Sequence, residues 1–161
     1  MQEAPATAIQ AIQAILAPAL GISAVGLLLL ALMNRYSTIV NRIRLLNDEK
    51  RRFARHIAEK GDLTYTDNNR YMSIRKQTEE LLVRSGLVRN AVLSMQTAVA
   101  MFVLSSIAIG LNLFVSSDAF RILPLIVFII GMTGILVGVV FAGIEVHRSF
   151  KIVLLEVKAE E

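Results

Sequence analysis

Three long stretches without a charged side chain constrain this chain more than any other feature. Residues 4–34, 90–117 and 122–144 hold no Asp, Glu, Lys or Arg, giving runs of 31, 28 and 23 residues out of 161. Each run reaches the ~20 residues that a helix needs to cross the hydrocarbon core of a bilayer. Hydrophobic residues make up 55% of the chain, and the net charge is nevertheless +4. An ordinary soluble domain holds about 45–50% apolar residues. This combination excludes a soluble enzyme, a disordered chain and a free-standing nucleic-acid binder. It requires the charge to sit apart from the apolar runs.

Cysteine is absent, so there is no disulfide framework, thiol nucleophile or Cys-ligated metal to consider. Met1, Gln2 and Glu3 lack the positive start of a signal peptide, and the first apolar run reads as retained. Within it, Ile9, Ile12, Ile15 and Leu16 recur at helical spacing, with Gln10 and Gln13 between them. Pro5 and Pro18 bracket the segment. Two readings stand side by side. One is a periplasmic, interfacial amphipathic helix within 1–17, followed by span one at 18–33. The other is one long membrane helix kinked at Pro18, where a backbone donor is missing and the ring crowds the preceding turn.

Residues 34–90 belong to a different solvent. Between Arg35 and Arg89 there are 13 Lys and Arg and 7 Asp and Glu, a local charge of +6. Ile39, Ile43, Leu46, Phe53 and Ile57 keep a spacing of three or four, with Lys50 standing in one core position. Asp48 with Arg52, and Glu80 with Arg84, have the acid-first i,i+4 spacing that supports an exposed helix face. Residues 61–69 (GDLTYTDNN) read as a break, with Thr66 or Asp67 capping the next helix. Ile74, Leu81, Val88, Val92 and Met95 then carry one stripe into the second apolar run. The pattern predicts a helical hairpin whose arms extend two membrane helices.

Span two is expected at 91–115, a tight external loop at 116–121 with Asp118 as a helix cap, and span three at 122–144. Pro124 falls early in that span, where proline is least disruptive. Val146, Phe150, Val153 and Val157 predict that span three continues as a C-terminal helix over 145–161, packing on the hairpin. Thirteen basic residues lie between spans one and two, none in the first 34 residues, and only Arg121 in the short loop. The positive-inside rule then puts the hairpin and the C-terminus in the cytoplasm and the N-terminus outside.

Ionisable groups inside a membrane mark proton relays and ion paths, and none stands at mid-depth in these spans. Glu145, at the inner end of span three, is the one carboxylate of interest, placed to pair with Arg35 or Arg89 at the interface. His56 and His147 have no partner at metal-ligand spacing and read as solvated helix residues. No phosphate-binding glycine loop or nucleophile motif occurs, so neither an enzyme nor a cofactor or metal is expected. Gly134 and Gly138 form a GxxxG, with Gly131 and Gly143 nearby, and Ala17 and Gly21 repeat the interval in span one. Such faces allow close helix approach, within one chain or between copies. Ser105 and Asn112 share a polar face of span two, suited to bonding a neighbouring helix or to lining a pore made by several subunits. The cluster KRRFAR at 50–55 reads as a solvated face and topology signal. It reaches anionic headgroups only if the hairpin lies on the membrane.

Residues 34–49, NRYSTIVNRIRLLNDE, carry a resemblance. With residues 16–33 before them, and Gly138, Glu145, Ser149 and Glu156 after them, they resemble a bacterial family of small three-span membrane proteins known only as a domain of unknown function. The resemblance implies a bacterial inner-membrane location and no established activity. It also singles out Asn34, Arg35, Asn41, Arg42, Arg44, Asn47 and Glu49 as a signature surface at the mouth of the hairpin. Asn is a poor helix former, and side-chain hydrogen bonds to a neighbouring helix are one physical reason for it there.

The expectation is an all-α integral membrane protein with three transmembrane helices, a cytoplasmic helical hairpin and a C-terminal cytoplasmic helix. Its expected role is that of a non-enzymatic, self-associating scaffold or interaction protein acting through the basic hairpin. The expected partners are the bilayer, further copies of the chain, and anionic lipid headgroups or another membrane protein, but not nucleic acid. The alternative is a homo-oligomeric ion channel lined by polar residues of span two.

Overall fold

The computed structural model describes the backbone of residues 8–60, 65–112 and 118–159, and within these the side chains of residues 9–10, 12–56, 67–112 and 122–149. The described residues form three α-helices: α1 (Ala8–Lys60), α2 (Tyr65–Leu111) and α3 (Asp118–Ala159). Each contains a window long and apolar enough to cross a membrane, with mean hydropathy 2.4, 1.9 and 2.8 in chain order. Three such helices mark a multi-pass membrane protein.

The helices are longer than the spans they contain. α1 runs unbroken through Pro18, so residues 8–17 and the first span belong to one continuous helix. Pro5 lies outside the described residues. α2 opens at Tyr65, so residues 65–69 are helical and the expected break over 61–69 is too long. Asp67 falls in the first turn of α2, where a carboxylate faces the positive end of the helix dipole. The rest of that break, 61–64, lies outside the described residues. Residues 118–121 are likewise the first turn of α3 rather than loop, and 113–117 lie outside the described residues. α2 ends at Leu111, where the Asn112 backbone N–H donates to the Ala108 carbonyl at 3.1 Å. α3 continues past residue 144 without interruption.

Burial repeats every seven residues in each helix. In α1 the buried positions are Pro18, Val25, Leu32, Ile39 and Leu46. In α2 they include Val88, Met95 and Phe102, together with Ala91, Ala98 and Ser105. In α3 they are Pro124, Gly131, Gly138 and Glu145. A seven-residue repeat is the signature of helices that pack with a left-handed twist. α2 supplies eight of the twelve buried apolar side chains among the described residues, which makes it the central helix. The repeat corrects two expectations. Lys50 is exposed, because the register passes from Leu46 to the half-buried Phe53. Val146 is also exposed, because the inward position of α3 falls one residue earlier, on Glu145.

The chain divides into two compact units, Met1–Leu32 with Asn90–Ala142, and Met33–Arg89 with Gly143–Glu161. The first is built around Phe102, whose ring is fully buried. A Cβ on Gly21 of α1 would stand 2.7 Å from Phe102 Cε2, and one on Gly131 of α3 would stand 2.7 Å from Cε1. Phe128 packs on the same ring at a centroid distance of 5.3 Å. Further along α3, a Cβ on Gly134 would meet Ala98 Cβ at 3.2 Å and the Ser94 carbonyl oxygen at 3.3 Å. At Gly138 it would meet Met95 Cγ at 2.8 Å and the Ala91 carbonyl oxygen at 3.2 Å. α3 thus approaches the α2 backbone closely because its inward residues have almost no side chain. In lipid, where apolar side chains gain little by leaving their solvent, this van der Waals fit is what holds helices together. The second unit buries Ile39, Leu46, Ile74 and Val88 and, unlike the first among the described residues, a charged group.

Candidate interaction site

The charged group is Glu145, the fourth inward position of α3. The seven-residue step from Pro124, Gly131 and Gly138 carries a carboxylate inward, leaving its side chain 1% exposed. Two arginines meet it. Arg84 of α2 donates from Nε at 3.1 Å and from Nη2 at 2.9 Å, both to Oε1. Arg35 of α1 brings Nε to 3.1 Å of Oε2. That contact is an ion pair by distance but lacks hydrogen-bond alignment, so Oε2 is a buried oxygen without a hydrogen-bond partner. One carboxylate against two guanidinium groups leaves a surplus positive charge. The arginine side chains are 39% (Arg35) and 22% (Arg84) exposed, so that surplus reaches solvent. A buried carboxylate with one charge partner removed is strongly unfavourable, and the clasp ties all three helices within this unit.

The sequence offered Arg35 or Arg89 as partners of Glu145, and the structure uses Arg35 and Arg84. Arg89 is exposed. The signal for Arg84 was present. It lies three residues after Leu81 and four before Val88, on the same inward stripe, whereas Arg89 stands one residue past Val88 and turns away. The expected i,i+4 pair of Glu80 with Arg84 does not form, since Arg84 is committed to Glu145. Among the described residues, the i,i+4 ion pair that does form is Arg75 with Glu79, at 3.7 Å.

A second bridge lies further along the polar part of α1. Arg70 of α2 grips Glu49 with a parallel pair of hydrogen bonds, Nε to Oε1 at 2.9 Å and Nη2 to Oε2 at 3.2 Å. This fork-to-fork geometry is specific to arginine. The hydrogen bond to Glu49, and then its charge, push the Arg70 guanidinium further above its ordinary range. Helical spacing does not pair Glu49 with Arg70, because a contact between residues 21 apart leaves no periodic trace.

The remaining signature residues have other environments. Asn34, Asn41, Arg42, Arg44 and Asn47 are exposed. The Asn side chains bond no neighbouring helix among the described residues, which removes the reason suggested for them. The Asn34 carbonyl does accept a hydrogen bond from the Thr38 hydroxyl at 3.0 Å. Arg42, Arg44, Lys50, Arg51, Arg52 and Arg55 are all exposed, and none forms an ion pair among the described residues. His56 and His147 are exposed as well.

In the apolar unit, Gly21, Gly134 and Gly138 lie against partners in the same chain. Ser105 is buried, and its hydroxyl donates to the Pro124 carbonyl at 2.8 Å. Asn112 is half-buried at the end of α2. Residues 15–154 match the model of a family described as "Protein of unknown function (DUF2721)". No curated protein and no solved structure matches the chain.

Proposed function

The chain belongs to this family of unknown function, and from that premise we propose that it is a non-enzymatic interaction protein of the bacterial inner membrane, acting through a basic cytoplasmic hairpin formed by the polar parts of α1 and α2. The carrying observation is how the cations are divided. Arg35, Arg70 and Arg84 brace helices, while Arg42, Arg44, Lys50, Arg51, Arg52 and Arg55 of α1 are left outward and without an ion pair among the described residues. In this reading the N-terminus lies outside, and the hairpin and C-terminus lie in the cytoplasm, in keeping with the distribution of positive charge. Self-association belongs to the proposal. The contacts at Gly21, Gly134 and Gly138 are filled within the chain, so copies would meet elsewhere. Ala19, Ser23 and Gly26 lie at four- and three-residue steps on an exposed face of α1, and Gly26 has nothing within 4 Å of its Cβ position. The channel reading has weaker support, because the Ser105 hydroxyl faces a backbone carbonyl and not an open path.

The experiment is photocrosslinking in intact membranes from a benzoylphenylalanine placed at Asn41 or Arg44, two exposed positions. Specific adducts, to a second copy or to another protein, are expected from these sites. A chain that crosslinks to nothing from any exposed position of the hairpin, and runs as a strict monomer, would sink the proposal. Orientation is tested separately. The chain has no native cysteine, so a single Ser37→Cys should react with a membrane-impermeant maleimide only after the cells are opened.

A further inference from the structure

The outward face of α1 has a composition that favours one kind of partner. Arg44, Arg51 and Arg55 stand at steps of seven and four residues, which places them on one face of the helix. That face is opposite the buried Ile39 and Leu46, and the three arginines span about 16 Å along the axis. Arg52 flanks the row, and Asn41, Asn47 and Asp48 lie among its members, all exposed. Leu45 is 63% exposed beside them. None of these arginines is neutralised by a carboxylate among the described residues. We propose that this face docks an acidic amphipathic segment of a partner protein, with carboxylates at matching seven- and four-residue steps opposite Arg44, Arg51 and Arg55. The proposal rests on the interaction reading above and names the chemistry of the partner.

The other occupants fit less well. A second copy of the same face is repelled, since like charges would be brought together. Phosphate-rich polymers gain from dense positive charge, but they offer nothing to Leu45 beside the row. Lipid headgroups act over a screening length of about 8 Å. They present the same phosphate chemistry as such polymers, and the vesicle arm of the test separates them from a protein segment. A protein segment suits the whole mixture. Its carboxylates meet guanidinium forks bidentately, its polar groups meet the amides, and an apolar residue covers Leu45.

The test uses the full chain in discs of neutral phosphatidylcholine. The probe is a labelled helical peptide with Glu at positions 1, 8 and 12 of its row and Leu beside them. A peptide of the same composition with the Glu positions scrambled is the comparison, and R44Q/R51Q/R55Q is the variant. The registered peptide should bind at least tenfold tighter than the scrambled one and lose at least tenfold on the variant. Equal binding of the two peptides overturns the proposal, and this arm holds even if the variant fails to fold. A DNA duplex or phosphatidylglycerol vesicles outbinding the registered peptide at physiological salt, through the same three arginines, overturns it in favour of phosphate. If membrane crosslinks from Asn41 persist unchanged in the variant, the acidic-partner proposal fails while the interaction reading stands. If no crosslinks form in the native chain, it is the interaction reading that fails.

Discussion

The two units of this molecule solve the same problem in opposite ways. Both must hold helix α3 against α1 and α2 along one seven-residue register. In the apolar unit α3 presents Pro124, Gly131 and Gly138, and the fit is made by absence, with Phe102 filling the room left by Gly131 and by Gly21 of α1. In the polar unit the same register presents Glu145, and the fit is made by charge. The difference follows from solvent. Between lipid-bathed helices there is little hydrophobic gain in contact, so backbone proximity decides. Outside an apolar window, water competes for every polar contact, and a carboxylate buried between two arginines fixes which helices meet.

The sharpest way to break the comparison is to empty or crowd the Phe102 socket. Phe102→Ala should cost about 3–5 kcal/mol of stability in detergent unfolding, the range for a buried ring lost from a packed core. Glu145→Gln should come next, at about 2–4 kcal/mol, because it leaves two guanidinium groups facing a neutral amide. Equal small losses at both sites would mean that neither device holds its unit. Gly131→Ala should cost about 1–3 kcal/mol, since the added methyl meets the Phe102 ring and the Ala98 carbonyl oxygen. Arg84→Gln should destabilise more than Arg35→Gln, because Arg84 makes two aligned hydrogen bonds to Glu145 and Arg35 makes none.

The Glu49 bridge sharpens the contrast between buried and exposed charge. Arg70 has its guanidinium raised above its ordinary value. A raised base stabilises the fold fully below its unfolded pKa and loses that contribution only as pH rises through the folded one. That window lies above the working range of a protein, so titration to about pH 10 should not weaken the polar unit through Arg70. Glu49→Gln should leave the unfolding midpoint almost unchanged, as expected of an exposed ion pair. A large loss there would show that the bridge is structural after all.

Much of this was legible in the residues. Uncharged length reveals the three apolar helices, and small residues at intervals of four mark Gly21, Gly134 and Gly138. The carboxylate at residue 145 stands out because nothing else charged interrupts the end of span three. What escaped was register. A stripe drawn through Ile43, Leu46 and Lys50 follows a spacing of three to four, but burial in α1 follows seven, which passes over Lys50 to Phe53. The same shift of one residue moved the inward position from Val146 to Glu145, and with it the choice between Arg84 and Arg89. Apolar residues alone do not fix the register here, because on a helix in lipid the outward face is apolar too, and because the inward face of α3 is glycine, proline and a charge.

The smallest effect is a change of sign, and it tests the comparison at a single atom. Gly86 lies inside α2, in the polar unit, and a Cβ there would have nothing within 4 Å. Glycine inside a helix is less favourable than alanine by about 0.8–1.0 kcal/mol, because it loses more backbone freedom on folding. Gly86→Ala should therefore stabilise the chain by about 0.5–1 kcal/mol, while the identical substitution at Gly131 destabilises it. Both variants are read by the same unfolding midpoint under the same conditions, so the two signs can be compared directly. If both substitutions stabilise, the Phe102 socket has slack and close approach is not what glycine supplies to the apolar unit. If both destabilise by similar amounts, the face of α2 that carries Gly86 is covered by something other than this chain.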